Sequence, residues 1–156
     1  MKNSNLLPVI IALVLSVVSV KTTAQNNGYD STLAKRLGAD QYGMKKYVIV
    51  FLYRGDVKIE DESKRSEIQK AHLKNITKLA EEKKLILAGP FLDDSDMRGI
   101  FIFDVESLDE ARRLTESDPA VKAGVLKMEI KPWYGSAAVM MIPEIHSKLS
   151  RLNIAD

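Results

Sequence analysis

The run YVIVFLY over residues 47–53 constrains the fold of this chain more than any other feature. Seven β-branched, aromatic and leucine residues in a row are too few for a stable helix. They are also too apolar for a strand with one wet face. They predict a central strand buried on both sides, ended by Gly55-Asp56. The rest of the chain must supply that strand with neighbours and cover both of its faces.

Residues 60–83 have the period of a helix. With Ile68 at zero on a helical wheel, Leu79, His72, Ile76, Ala80 and Leu73 fall within an arc of about 140°. Lys64, Lys70, Lys74, Lys78 and Glu81 fall outside it. Residues 85–92 (LILAGPFL) read as a second strand, and Pro90, which has no N–H for a ladder, makes it an edge or bent strand. Residues 100–105 (IFIFDV) read as a third. Ser107-Leu108-Asp109-Glu110 is a capping box, with Ser107 accepting from the third amide and Glu110 reaching back, for a helix that stops near Ser117. Asp118-Pro119 and Gly124 follow, and residues 127–131 (KMEIK) alternate as a last strand.

Strand, helix, strand, strand, helix, strand with two right-handed crossovers predicts an α+β ferredoxin-like fold with an antiparallel sheet and both helices on one face. The strands read as buried on both sides, so the second face needs cover. A second copy of the chain is the economical cover, which predicts a homodimer. A short C-terminal helix opened by Pro143, with Ile145, Leu149 and Leu152 on one side, adds to it.

At 156 residues the chain can bury a self-sufficient core without a metal or a disulfide, so nothing structural calls for a cofactor. Residues 1–24 have the layout of a secretory signal peptide: Lys2, an apolar stretch over 6–20, then Thr22-Thr23-Ala24 before the cut. An uncleaved membrane anchor is the competing reading, but the apolar stretch is short and interrupted by Pro8. Cleavage predicts a periplasmic or secreted protein without stable membrane insertion. It also removes two lysines and no acid, taking the formal charge from +2 to zero, so the basicity gives no support for nucleic-acid binding. With no cysteine there is no disulfide, thiol nucleophile or thiolate ligand. Residues 25–45 read as a leader, 46–135 as the domain and 136–156 as a tail.

Chemistry has few candidates. His72 is a polar ring inside an apolar helical stripe, so it must find a partner. It is either a core histidine satisfied by a carbonyl or an acid or base lining a cleft. Asp118 caps a short helix opened by Pro119, or it meets a cation such as protonated His72. Gly89-Pro90 either bends a strand or lets a ligand approach the backbone. Trp133-Tyr134 either plugs the end of the domain or forms an aromatic wall with polar tips. Asp94, Asp96 and Gly99 echo a calcium loop, but Arg98 and Val105 stand where ligands are needed. No phosphate loop, dinucleotide fingerprint or nucleophile elbow occurs, and two histidines, His72 and His146, give no support for a metal site.

These residues in order resemble the YCII-related domain: His72-Leu73, the segment Leu87-Ala88-Gly89-Pro90-Phe91, then Ser107-Leu108-Asp109-Glu110-Ala111. Asp118-Pro119 with Ala123-Gly124, and Glu129-Ile130-Lys131-Pro132-Trp133, complete the pattern. The resemblance implies a ferredoxin-like fold of the dimeric α/β barrel group. It also implies a His–Asp pair in a pocket, carried here by His72 and Asp118. The family includes a dehydrochlorinase acting on a chlorinated hydroquinone, and most members have no assigned reaction. Export, the leader and the tail depart from the pattern.

Two functions follow as expectations. One is an enzyme in which His72 transfers a proton and Asp118 orients it, for isomerisation or elimination on a small cyclic substrate contacted by Gly89, Pro90, Trp133 and Tyr134. The other is a non-catalytic module of the cell envelope that binds a small ligand. A purely structural envelope protein without a ligand-sized cavity ranks third.

Overall fold

The predicted central strand is β1, Met44–Arg54, third in a four-stranded antiparallel sheet. The structure is a computed structural model and describes residues 28–152, 154 and 155. The signal peptide expected over residues 1–24 lies outside these residues. Strand β2 is Leu85–Pro90, β3 is Met97–Phe103 and β4 is Leu126–Ser136. The sheet order is β2-β3-β1-β4, with every neighbouring pair antiparallel. Two βαβ crossovers with this order make the ferredoxin-like α+β fold that the succession of elements predicts. No helix of the described residues is long and apolar enough to cross a membrane.

Helix α1 is Ser31–Leu37 and α2 is Glu62–Glu81. Helix α3 is Leu108–Glu116, and α4 is a single turn, Pro119–Lys122. A 3-10 turn, Ala137–Met141, leads into α5, Ile142–Leu149. Local details differ from the sequence reading, among them β3, which starts at Met97 and ends at Phe103 rather than spanning residues 100–105. Asp30, not Ser31, caps α1, because its carboxylate reaches the amides of Thr32 and Leu33. Only half of the capping box at α3 forms: Ser107 accepts from the Glu110 amide, while the Glu110 carboxylate pairs with Lys84 at 2.7 Å. Strand β4 runs on through Pro132 to Ser136, which the ladder tolerates because β4 is an edge strand paired only with β1.

Strand alternation sorts the side chains. Val48, Val50, Leu52, Phe101 and Phe103 form the core with Leu79 of α2, Leu85 of β2 and Ala111 of α3. Ile49, Phe51, Ile100 and Ile102 alternate with these and face away from the helices. On that far side Tyr47 and Ile102 are 2% and 7% exposed, whereas Ile49, Phe51 and Ile100 are half-buried. The tail lies close to this part of the sheet, with α5 against β2 and the 3-10 turn against β1. It therefore supplies part of the cover for which the sequence calls.

Leader and tail are joined. Ala137 N–H donates to the Gly43 carbonyl at 2.9 Å, Arg36 meets Glu144 at 3.6 Å, and α1 packs on the 3-10 turn. At the other end of β1, Gly55 and Gly124 pass so closely that a Cβ on Gly55 would run into the Gly124 carbonyl. Gly124 itself has φ +70°, the left-handed region that favours glycine.

Candidate functional site

His72 lies on the inner side of α2, where its ring stacks on Phe101 of β3 with centroids 6.1 Å apart and planes 23° from parallel. Phe101 in turn meets Phe103 edge-on, at 5.8 Å and 80°. The His72 side chain is 12% exposed. The apolar stripe of α2 thus has a polar ring within it, and the ring needs a hydrogen-bond partner there.

Asp118 is that partner. It follows α3 in an extended conformation and caps α4, accepting from the amides of Ala120 at 2.9 Å and Val121 at 3.4 Å through Oδ1. His72 Nδ1 lies 2.9 Å from Oδ1 and 2.9 Å from Oδ2. Asn75 Nδ2 donates to Oδ2 at 3.0 Å. The cap and the contact with His72 are therefore made by one carboxylate, and its side chain is fully buried.

An ionised carboxylate only accepts, so against it His72 Nδ1 would be the N–H donor, and in the neutral ring Nε2 would hold the lone pair. Nε2 has no partner among the described residues. No side-chain nitrogen or oxygen in those residues is both buried and unpaired, so Nε2 is open to solvent or a ligand. A nitrogen base held by its other nitrogen and free at the first can take or give a proton.

A groove of about 410 Å³ runs between α2 and α4, floored by Ile68, Ala71, Pro119 and Ala123, with Lys64 and Lys122 on its rim. Ala71 and Pro119 are the chain neighbours of His72 and Asp118. A second cleft, about 890 Å³, lies between the leader, the start of β1 and the loop before α3. It is lined by the ion pairs Lys45–Asp104 at 3.1 Å and Lys84–Glu110 at 2.7 Å, and by Tyr134. The hydrogen bond between Lys84 and Glu110 holds the Glu110 carboxyl below its ordinary range and the Lys84 ammonium above it. Neither cleft is lined by His72 or Asp118.

The structure brings His72 and Asp118 together and leaves Gly89, Trp133 and Tyr134 apart from them. Gly89 pairs with Ile100, one position from Phe101 on the alternating strand, so it belongs to the sheet face opposite His72. Pro90 pairs with Gly99 and returns to the helix side, exposed at the end of β2. Trp133 packs against Tyr47 with ring centroids 5.5 Å apart and planes tilted by 34°, and Tyr134 OH bonds the Asp40 carboxylate of the leader. Both aromatics sit where β4 pairs with the start of β1. Asn75 and Phe101 are missing from the sequence reading. On the helical wheel Asn75 lies about 60° from His72, a second polar residue at the border of the apolar arc. Among the described residues no group of three or more His, Asp or Glu side chains converges as metal ligands.

Comparison with known proteins adds family and likeness. Residues 46–134 match the YCII-related domain. The uncharacterized protein YjpA of Bacillus subtilis (strain 168) is 34% identical over 62 residues, which cover 40% of this chain and 71% of that protein. A solved structure of 5-chloro-2-hydroxyhydroquinone dehydrochlorinase (TftG) from Burkholderia phenoliruptrix AC1100, in complex with 2,5-dihydroxybenzoquinone, is 31% identical. It matches with a TM-score of 0.40, covering 55% of this chain and 92% of that one.

Proposed function

The chain belongs to the YCII-related domain family, and on that premise we propose that it is an exported protein that transfers a proton on a small cyclic molecule through Nε2 of His72. The observation that carries this reading is the buried carboxylate of Asp118, which takes Nδ1 of His72 on both oxygens at 2.9 Å. Asp118 keeps the Nδ1–H tautomer and supports the imidazolium without accepting its proton. Nε2 is then the base that removes a proton from carbon and the acid that returns it. In isomerisation the proton comes back at another ring position. In a dehydrochlorinase-like elimination the C–H electrons form the new double bond and the leaving group departs with its electron pair. A placed acid or base of this kind contributes ~10²–10⁴ in rate.

The groove between α2 and α4 is the adjoining space for such a ring, since its apolar floor begins at the neighbours of His72 and Asp118. The protein acts as a homodimer in which a second copy covers Ile49, Phe51 and Ile100 on the far face of the sheet. Light scattering on wild type and Phe51→Lys tests this: the variant should be a monomer, and a dimer of unchanged mass would rule that face out.

The alternative is a non-catalytic module that binds the same class of molecule. In its favour, the His72 ring lines neither of the two clefts. The deciding experiment follows solvent deuterium entering a panel of hydroquinones and cyclic 1,3-diketones by proton NMR. Exchange that disappears in a folded His72→Gln variant supports proton transfer. Exchange equal in both proteins, or binding without exchange, leaves the binding module.

A further inference from the structure

We propose that Asn75 is a positioning residue that sets how Asp118 holds His72; this rests on the reading of His72 as the proton-transfer group. Asn75 follows His72 by three residues on α2, so both side chains leave the helix toward one neighbour. That neighbour is the Asp118 carboxylate, and its two oxygens are not held alike. Oδ1 accepts backbone amides from the first turn of α4, Ala120 at 2.9 Å and Val121 at 3.4 Å. Oδ2 accepts none. Among the described residues its donors are His72 Nδ1 at 2.9 Å and Asn75 Nδ2 at 3.0 Å. Asn75 is thus the one donor besides the imidazole that fixes Oδ2.

Two consequences follow. Geometrically, the backbone pins Oδ1 and Asn75 pins Oδ2, so the carboxylate cannot turn about its Cβ–Cγ bond. Its two oxygens then stay equidistant from Nδ1, as observed. Electrostatically, an N–H at Oδ2 shares the negative charge that the imidazole would otherwise meet alone in a fully buried site. Removing that N–H concentrates charge on Oδ2 and shortens its bond to the Nδ1 proton. A half-buried asparagine that merely satisfies itself on the nearest acceptor would leave the imidazole unchanged when replaced by an apolar side chain of similar shape.

The test uses the full chain with His146→Gln, which leaves His72 as its single histidine. Proton–nitrogen NMR records the Hδ1 and Nδ1 resonances with Asn75, with Asn75→Leu, which keeps the branched shape without a donor, and with Asn75→Gln, which keeps the amide. The expected result is a downfield shift of Hδ1 in Asn75→Leu that Asn75→Gln reverses at least in part. If deuterium exchange is found, it should fall roughly tenfold or more in Asn75→Leu, the weight of a hydrogen bond to a charged group. An Hδ1 resonance unmoved in folded Asn75→Leu overturns the role of Asn75. The NMR result stands apart from the exchange assay, so wild-type protein without exchange activity would overturn the proton-transfer reading and not the positioning of Asp118.

Discussion

Asp118 faces His72 with both carboxylate oxygens at 2.9 Å, from a position that solvent does not reach. The two residues stand 46 apart in the chain, so this contact ties α2 to the turn between α3 and α4. Replacing Asp118 by alanine strands the His72 and Asn75 donors and uncaps α4. Asp118→Ala should cost about 3 kcal/mol or more, and Asp118→Asn, which keeps the shape and one acceptor oxygen, about 1–2 kcal/mol. Urea denaturation of the three proteins measures the order; equal midpoints would show that the carboxylate carries no stability.

The same contact predicts a tautomer. In the neutral ring of His72 the proton resides on Nδ1, and the long-range proton–nitrogen spectrum should show Nε2 as the unprotonated nitrogen. A spectrum with the proton on Nε2 would contradict the donor role of Nδ1.

Lys83 ends α2 in the left-handed region, at φ 58°, where a residue with a Cβ is strained. Its amide donates to Ala80 and that of Lys84 to Leu79, the two bonds of a Schellman motif in which glycine is the usual occupant. Lys83→Gly should therefore stabilise the fold, by about 0.5–1 kcal/mol. Thermal unfolding tests this, and a lower Tm in the variant would count against the strain.

Burial, with the nearby Asp104 charge adding to it, pushes the Tyr47 hydroxyl up to about 12, from the 10.0 ordinary for tyrosine. A raised folded value means that the unfolded chain loses this proton first. The contribution of Tyr47 is complete below pH 10 and drains away between pH 10 and pH 12. The slope approaches 1.4 kcal/mol per pH unit, on the order of 2 kcal/mol across the window. Urea midpoints taken from pH 9 upward should fall more steeply for wild type than for Tyr47→Phe. Parallel curves would mean that Tyr47 ionises as freely in the folded protein as in the unfolded chain.

Much of this molecule is written in local pattern. The apolar run at 47–53, the wheel of α2 and the Gly-Pro of β2 place a central strand, a covering helix and an edge strand, because each depends on neighbours close in sequence. His72 is conspicuous for the same reason, as a polar ring in an apolar stripe. The partners of the site are not legible in that way. Whether Asp118 reaches His72 depends on the length of α3 and on how α4 crosses α2, and no periodicity encodes either. Trp133 and Tyr134 illustrate the converse: two aromatics beside a proline suggest a ligand wall, yet Tyr134 bonds Asp40, 94 residues away, and Trp133 lies on Tyr47. The limits of β4 and the cap of α1 shift for smaller reasons, an edge position that tolerates Pro132 and a carboxylate one residue earlier.

The fastening of leader to tail has a consequence for handling the protein. Gly43 and Ala137 meet where β1 begins and β4 ends, whereas Asp118 follows the far end of α3, beside the turn that Gly55 makes with Val125. A tether attached ahead of α1 or behind α5 would grip the domain by that one end and leave the end that carries Asp118 unencumbered.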